Sequence, residues 1–139
     1  MDEIVLLKEC LSETKLKQGR KLLSKLDVKG YPVEAAYWIF MYERNDWRLH
    51  IVSPEVDRKG EIKAYSSLHK IADTLPFSYE LGVFLDRTDN RFFNEMMEGL
   101  RRDGPILDSM YERMGIGDDL IDVYIYRLPA PRKKGKNHG

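Results

Sequence analysis

Cysteine is nearly absent from this 139-residue chain. Cys10 stands alone, so no disulfide forms within the chain and no cysteine-based metal site is expected. Histidine is almost as sparse: His50, His69 and His138 are scattered, with no H-x-x-x-H pair, and a zinc site is not expected. No apolar run approaches the roughly 18–20 residues that cross a bilayer, so no membrane partner is expected. The start, MDEIVLLKECLSE, sets acids beside its apolar run and has no basic region before it, which predicts no secretory leader. Gly115-Ile116-Gly117 lacks the third glycine and the preceding strand of a dinucleotide loop, and no P-loop sequence occurs. There is no internal repeat. These absences predict a cofactor-free protein of the cytoplasm.

Net charge is also lacking, with 23 basic and 23 acidic residues. The balance hides an asymmetry. Residues 129–139, PAPRKKGKNHG, hold Arg132, Lys133, Lys134 and Lys136 and no acid, so residues 1–128 carry 19 basic and 23 acidic residues. An acidic body is a poor general nucleic-acid surface, because affinity there comes from neutralising phosphates. The basic tail could make such contacts through its four cations. Its simpler reading is a disordered terminus that aids solubility.

What remains is 42% hydrophobic and 33% charged, a globular composition with enough length for one core. Ile4, Leu7 and Leu11 predict a short helix over 3–11. Ser12 is placed to cap a second helix over 13–26, with Leu16, Leu23 and Leu26 on one face. Capping also explains the Ser12-x-x-Lys15 spacing, which in other settings marks a nucleophilic serine. Gly30-Tyr31-Pro32 breaks the chain. Strands are expected at 33–43 and 47–53 around a turn at Arg44-Asn45-Asp46, then a turn at 57–60 and a helix over 61–75. A third strand fits 80–86, a helix capped by Thr88 or Asp89 fits 90–102, a short helix fits 106–114, and a last strand fits 120–128. The fold class is α+β, with about four mainly antiparallel strands, helices packed on the sheet and the order ααββαβααβ. Residues 1–128 make the expected single domain.

The segment Tyr37 to Val52, YWIFMYERNDWRLHIV, concentrates the aromatic residues. Strand side chains alternate between faces, so loop length decides which residues sit together. An even-length loop gathers Trp38, Phe40, Tyr42, Trp47, Leu49 and Ile51 on one apolar face. The other face then takes Tyr37, Ile39, Met41, Arg48, His50 and Val52, with Glu43 near its rim. An odd-length loop would bury His50 among aromatic rings, where a polar group needs a partner. The even length is expected. His50 could serve as a general acid or base there, Arg48 as an anion binder, and Glu43 or Tyr37 as helpers, as in a small metal-independent ribonuclease. The simpler reading is a Glu43–Arg48 cross-strand pair beside a half-exposed histidine.

Two further groups stand out. Asp86 and Asp89 flank a strand-to-helix junction, and Asp118, Asp119 and Asp122 lie near the last strand. Carboxylates of this kind bind magnesium when they converge, but turns and caps use Asp routinely, and no metal is expected. Phe92, Phe93, Met96 and Met97 form a soft apolar stripe, read as core, or as a partner surface if the helix lies at the edge of the domain. His69 precedes Asp73 by four residues, the spacing of a helix-surface pair.

Gly30, Pro32, Val33, Ala35, Ala36, Tyr37 and Trp38, then Trp47 and Leu49, then Pro54, Val56, Asp57 and Gly60, and finally Tyr65, make up a spaced pattern. It resembles a group of small uncharacterised bacterial proteins sharing G-x-P-V, an A-A-aromatic-W strand, a W-x-L strand and P-x-V-D-x-x-G. The resemblance spans residues 30–68 and implies a bacterial or phage origin and a cytosolic setting. It supplies no catalytic residues. The leading expectation is a non-catalytic domain that binds another macromolecule, a protein or a second copy of itself. The ribonuclease built on His50 and Arg48 is the alternative, and nucleic-acid binding by the tail a third.

Overall fold

The computed structural model describes residues 10–100 and 103–131. Helix α1 (Glu13–Val28) starts at Ser12, whose Oγ accepts the Lys15 N–H at 3.1 Å, as its spacing predicts. Cys10 and Leu11 are not helical, and residues 3–9 of the helix expected before them lie outside the described residues. Strands β1 (Ala35–Met41) and β2 (Asp46–Val52) form an antiparallel hairpin with Met41 opposite Asp46. The connection is therefore residues 42–45, an even length. The Arg44 and Asn45 N–H groups both donate to the Met41 carbonyl, and Asn45 takes a left-handed φ of 59° that asparagine tolerates.

Ser53 and Pro54 close the hairpin by starting α2 (Pro54–Lys59), a short helix where a turn is expected. Gly60, at φ 85°, separates it from α3 (Glu61–Ala72). The expected strand at 80–86 is shorter than its composition suggests. Residues Ser78–Leu81 make a single helical turn, α4, ended by Gly82 in the left-handed region, and only β3 (Phe84–Asp86) is extended. Asn90, rather than Thr88 or Asp89, caps α5 (Arg91–Gly99), accepting the Phe93 N–H at 2.9 Å. Thr88 instead donates from its N–H and hydroxyl to Asp57, at 2.9 and 2.7 Å.

The segment expected as a helix at 106–114 is a strand, β4 (Ile106–Ile116), paired antiparallel with β5 (Asp119–Leu128). Ile106, Met110 and Met114 recur at helical spacing, which misleads. The turn at Gly117-Asp118 folds the segment back along β5, whose outer N–H and C=O groups need partners. The ladder between β4 and β5 is irregular: Asp108 and Arg113 take φ of 44° and 55°, and the register shifts between Tyr111 and Met114. The buried Asp122 carboxylate holds the second irregularity, accepting the Arg113 N–H at 2.8 Å.

The sheet has five strands in the order β3-β2-β1-β5-β4, all neighbours antiparallel except β2 and β3. The element order among the described residues is thus αββαααβαββ, an α+β fold with one more strand than expected. Helices cover both faces. On one, Trp38, Phe40, Trp47, Leu49 and Ile51 pack under Leu22, Leu23 and Leu26 of α1 and Ala64 and Leu68 of α3. On the other, Tyr37, Ile39, Val52, Ile121, Val123 and Ile125 pack under Phe93, Met96 and Met97 of α5. No helix among the described residues is long and apolar enough to cross a membrane.

A hydrogen-bond chain pins α1 to the sheet. Trp38 Nε1 donates to Tyr126 Oη at 2.9 Å, and Tyr126 Oη donates to the Leu16 carbonyl at 2.7 Å. Gly19, with no side chain, leaves the space into which that hydroxyl reaches. A bulge at this level of β5 turns Arg127 toward α1, where it pairs with Asp27 at 2.7 Å. Burial pushes the Tyr31 and Tyr126 hydroxyls from an ordinary 10.0 up to about 12. Both must ionise late in the folded chain, so their contribution is fully present below pH 10 and is lost as pH rises toward 12. Urea midpoints measured across that interval should fall steadily, and a flat profile would contradict the burial of these hydroxyls.

Candidate functional site

The strand parity assigns His50 and Arg48 to the face opposite the two tryptophans, and the structure follows it: Trp38 and Trp47 are core, while Arg48 and His50 face α5. The parallel pairing of β3 with β2 adds what the hairpin alone lacks. Phe84 lies opposite His50 and Asp86 opposite Val52, both on the His50 side, while Leu85 turns into the core beneath α3. Asp86 Oδ2 thereby comes within 2.9 Å of His50 Nδ1, and both side chains are largely buried. The carboxylate fixes the ring in the tautomer with the proton on Nδ1. The other nitrogen, Nε2, has no hydrogen-bond partner among the described residues.

The imidazole is held flat between two rings. Tyr37 stacks at 6.1 Å between centroids and Phe84 at 5.2 Å, with interplanar angles of 19° and 20°. Tyr37 is fully buried, and its Oη is unpartnered in the structure. Burial, then the charge of Asp86, pushes the Tyr37 hydroxyl well above its ordinary value, so it stays protonated. The Arg48 guanidinium lies 5.2 Å from the Phe84 centroid. Its Nε donates to Asp46 at 3.2 Å, and Arg44 Nε donates to the same carboxylate at 3.0 Å. Burial pushes the Asp46 carboxyl up, but the two arginine bonds outweigh it and hold the group below the ordinary carboxylate range.

The expected Glu43–Arg48 pair is replaced by this Asp46 arrangement. With the loop at 42–45, Glu43 is an exposed loop residue, while Asp46 opens β2 two residues before Arg48 and shares its side of the strand. A cleft of about 180 Å³ opens between the β2–β3 edge and the start of α5. Arg44, Arg48, His50 and Asp86 line it together with Phe84, Asn90 and the apolar Ile39, Met41 and Phe92.

The other expected site residues fall elsewhere. Phe93, Met96 and Met97 are buried and Phe92 packs partly against them, so the stripe builds the core rather than an open partner surface. Asp89 pairs with Arg87, Asp118 lies in the β4–β5 turn, and Asp122 is buried, accepting from the Tyr42 hydroxyl at 2.9 Å. Among the described residues no three His, Cys, Asp or Glu side chains gather to hold an ion. His69 stacks on Tyr65 rather than pairing with Asp73. Arg132, Lys133, Lys134, Lys136 and His138 lie outside the described residues.

Sequence reasoning missed Asp86 as the partner of His50, and Arg44 as a second cation at the cleft. One signal pointed to the first. Two strands joined through helices are commonly parallel neighbours, and that pairing would set 84–86 beside 50–52. Compared with known proteins, the chain matches no protein-family model, no curated protein and no solved structure.

Proposed function

We propose that the cleft beside β2 and β3 is an acid–base site acting on an anionic phosphodiester, and that the chain is a small ribonuclease in which His50 moves the proton. One observation carries this reading: His50 Nδ1 is held by Asp86 at 2.9 Å, while its Nε2 is unpartnered in a cleft that Arg44 and Arg48 also line. A carboxylate on one ring nitrogen leaves the other basic and fixed in direction, the arrangement that proton transfer requires.

RNA suits a site with one base and two cations because it brings its own nucleophile. His50 Nε2 takes the proton of the 2′-hydroxyl, the O2′–P bond forms and the P–O5′ bond breaks. The departing 5′ oxygen takes up a proton from water, leaving a 2′,3′-cyclic phosphate and a 5′-hydroxyl. Arg44 and Arg48 share the Asp46 carboxylate, so the site offers the phosphoryl oxygens their remaining guanidinium N–H groups rather than a net positive charge. A volume of about 180 Å³ holds a phosphate and part of a ribose, with the bases outside, so little sequence preference is expected.

The test is incubation of purified chain with 5′-labelled RNA, and with the same strand carrying a 2′-deoxy residue at the scissile position. Cleavage to a cyclic phosphate by the wild type, absent on the deoxy strand and in His50→Ala, is the expected result. Equal cleavage by His50→Ala, or no cleavage by either protein, defeats the reading.

A further inference from the structure

His50 has a ring directly opposite it on each neighbouring strand, Tyr37 on β1 and Phe84 on β3. The three rings form a row across the sheet, 6.1 and 5.2 Å apart between centroids, each within 20° of parallel to the next. The row starts in the core at Tyr37 and runs outward to the sheet edge. There it ends on an open ring: β3 pairs with β2 and with no other described strand. Phe84 is 39% exposed, the most of the chain's five phenylalanines. It also lines the cleft, with the Arg48 guanidinium 5.2 Å from its centroid. The cleft offers an anion little net attraction, since Asp46 and Asp86 offset Arg44 and Arg48.

We propose that Phe84 is the platform on which an unpaired base of the substrate stacks, and that the substrate is therefore single-stranded RNA; this rests on the reading of the cleft as a phosphodiester site. The chemistry of the nucleotide sets the distance. Its base is joined to C1′, next to the carbon that bears the 2′-hydroxyl, so a 2′-hydroxyl at His50 Nε2 brings the base to the rim of the same cleft. A volume of about 180 Å³ has no room for the base beside the phosphate and ribose, and the open ring on that rim is Phe84. Stacking also supplies the affinity that the balanced charges do not. It is tolerant of sequence, because every base has a flat π face. A duplex cannot use this platform, since its bases are already stacked on both faces and paired. Loops, bulges and single strands can splay a base outward onto the ring.

The probe is a labelled 2′-fluoro RNA strand, which has no 2′-hydroxyl to attack and is not cut, added to the full chain and followed by anisotropy. Saturable binding of the single strand is expected, with the same strand annealed to its complement bound about tenfold more weakly or worse. Phe84→Leu keeps an apolar side chain against His50 but offers no ring, and should weaken single-strand binding about tenfold. Phe84→Trp keeps a flat ring and should bind like the parent, which a merely structural role for the position would not predict. Equal binding by Phe84→Leu, equal binding of the duplex, or no binding of the single strand by the parent each overturns the proposal. Cleavage is read separately. RNA cut by Phe84→Leu with the parent kcat and KM overturns the platform and leaves the reading of His50 standing. A strand bound through Phe84 but never cut as RNA overturns the reading of His50 and leaves the platform.

Discussion

Replacing Gly19 with alanine is expected to destabilise the protein by about 2–3 kcal/mol, the cost of forcing a group into a filled site. Helix propensity alone predicts the opposite sign, since alanine in a helix interior is favoured over glycine by about 1 kcal/mol. Packing wins here because a β-carbon at this position would overlap the Tyr126 hydroxyl and approach its Cζ to 2.9 Å. The ring cannot retreat without breaking its bonds to the Leu16 carbonyl and Trp38 Nε1. Urea unfolding checks the magnitude, and a variant as stable as the parent would show that the contact relaxes freely. A cycle with Tyr126→Phe isolates the cause. Removing the hydroxyl takes away the closest overlap and the bonds that hold the ring against retreat from the remaining Cζ contact, so alanine at position 19 should cost less in that background, and the non-additivity measures the contact.

At the cleft, His50→Asn is expected to lower the rate of RNA cleavage by about 10²- to 10⁴-fold, the usual contribution of a positioned acid or base. Asp86→Asn should lower it by a smaller factor, because an amide can still hold the ring but no longer selects the tautomer with the proton on Nδ1. The ordering separates chemistry from architecture. The two residues bridge β2 and β3, and a purely structural bridge would show in the unfolding midpoint of either variant, with any loss of rate following that midpoint. If both variants unfold like the parent and His50→Asn cleaves at the parent rate, proton transfer by His50 is ruled out.

Much of the fold is written in local pattern. Ser12 announces α1, the alternation of Trp38, Phe40, Leu49 and Ile51 fixes the hairpin faces, and Phe93, Met96 and Met97 mark the inner side of α5. Position 106–116 is different. Its apolar residues fall at helical spacing, and only the presence of β5 alongside makes it extended. The site divides in the same way. His50 and Arg48 share a face by strand parity, a local property. Asp86 joins His50 across 36 residues and a parallel pairing, and Arg44 joins the cleft from a hairpin loop that lies at 42–45. Non-local pairing is the part that residue periodicity does not encode.

The irregular outer strand also bears on how the protein behaves when crowded against itself. An eleven-residue strand at a sheet edge presents a row of N–H and C=O groups that another chain could extend into a fibre, and β4 exposes Leu107 and Met110 along that row. The left-handed turns at Asp108 and Arg113 interrupt it, leaving residues 109–111 as the regular stretch between them. Three residues are too few to template growth, and the buried Asp122 that fastens the second interruption therefore guards against aggregation as well as shaping the hairpin.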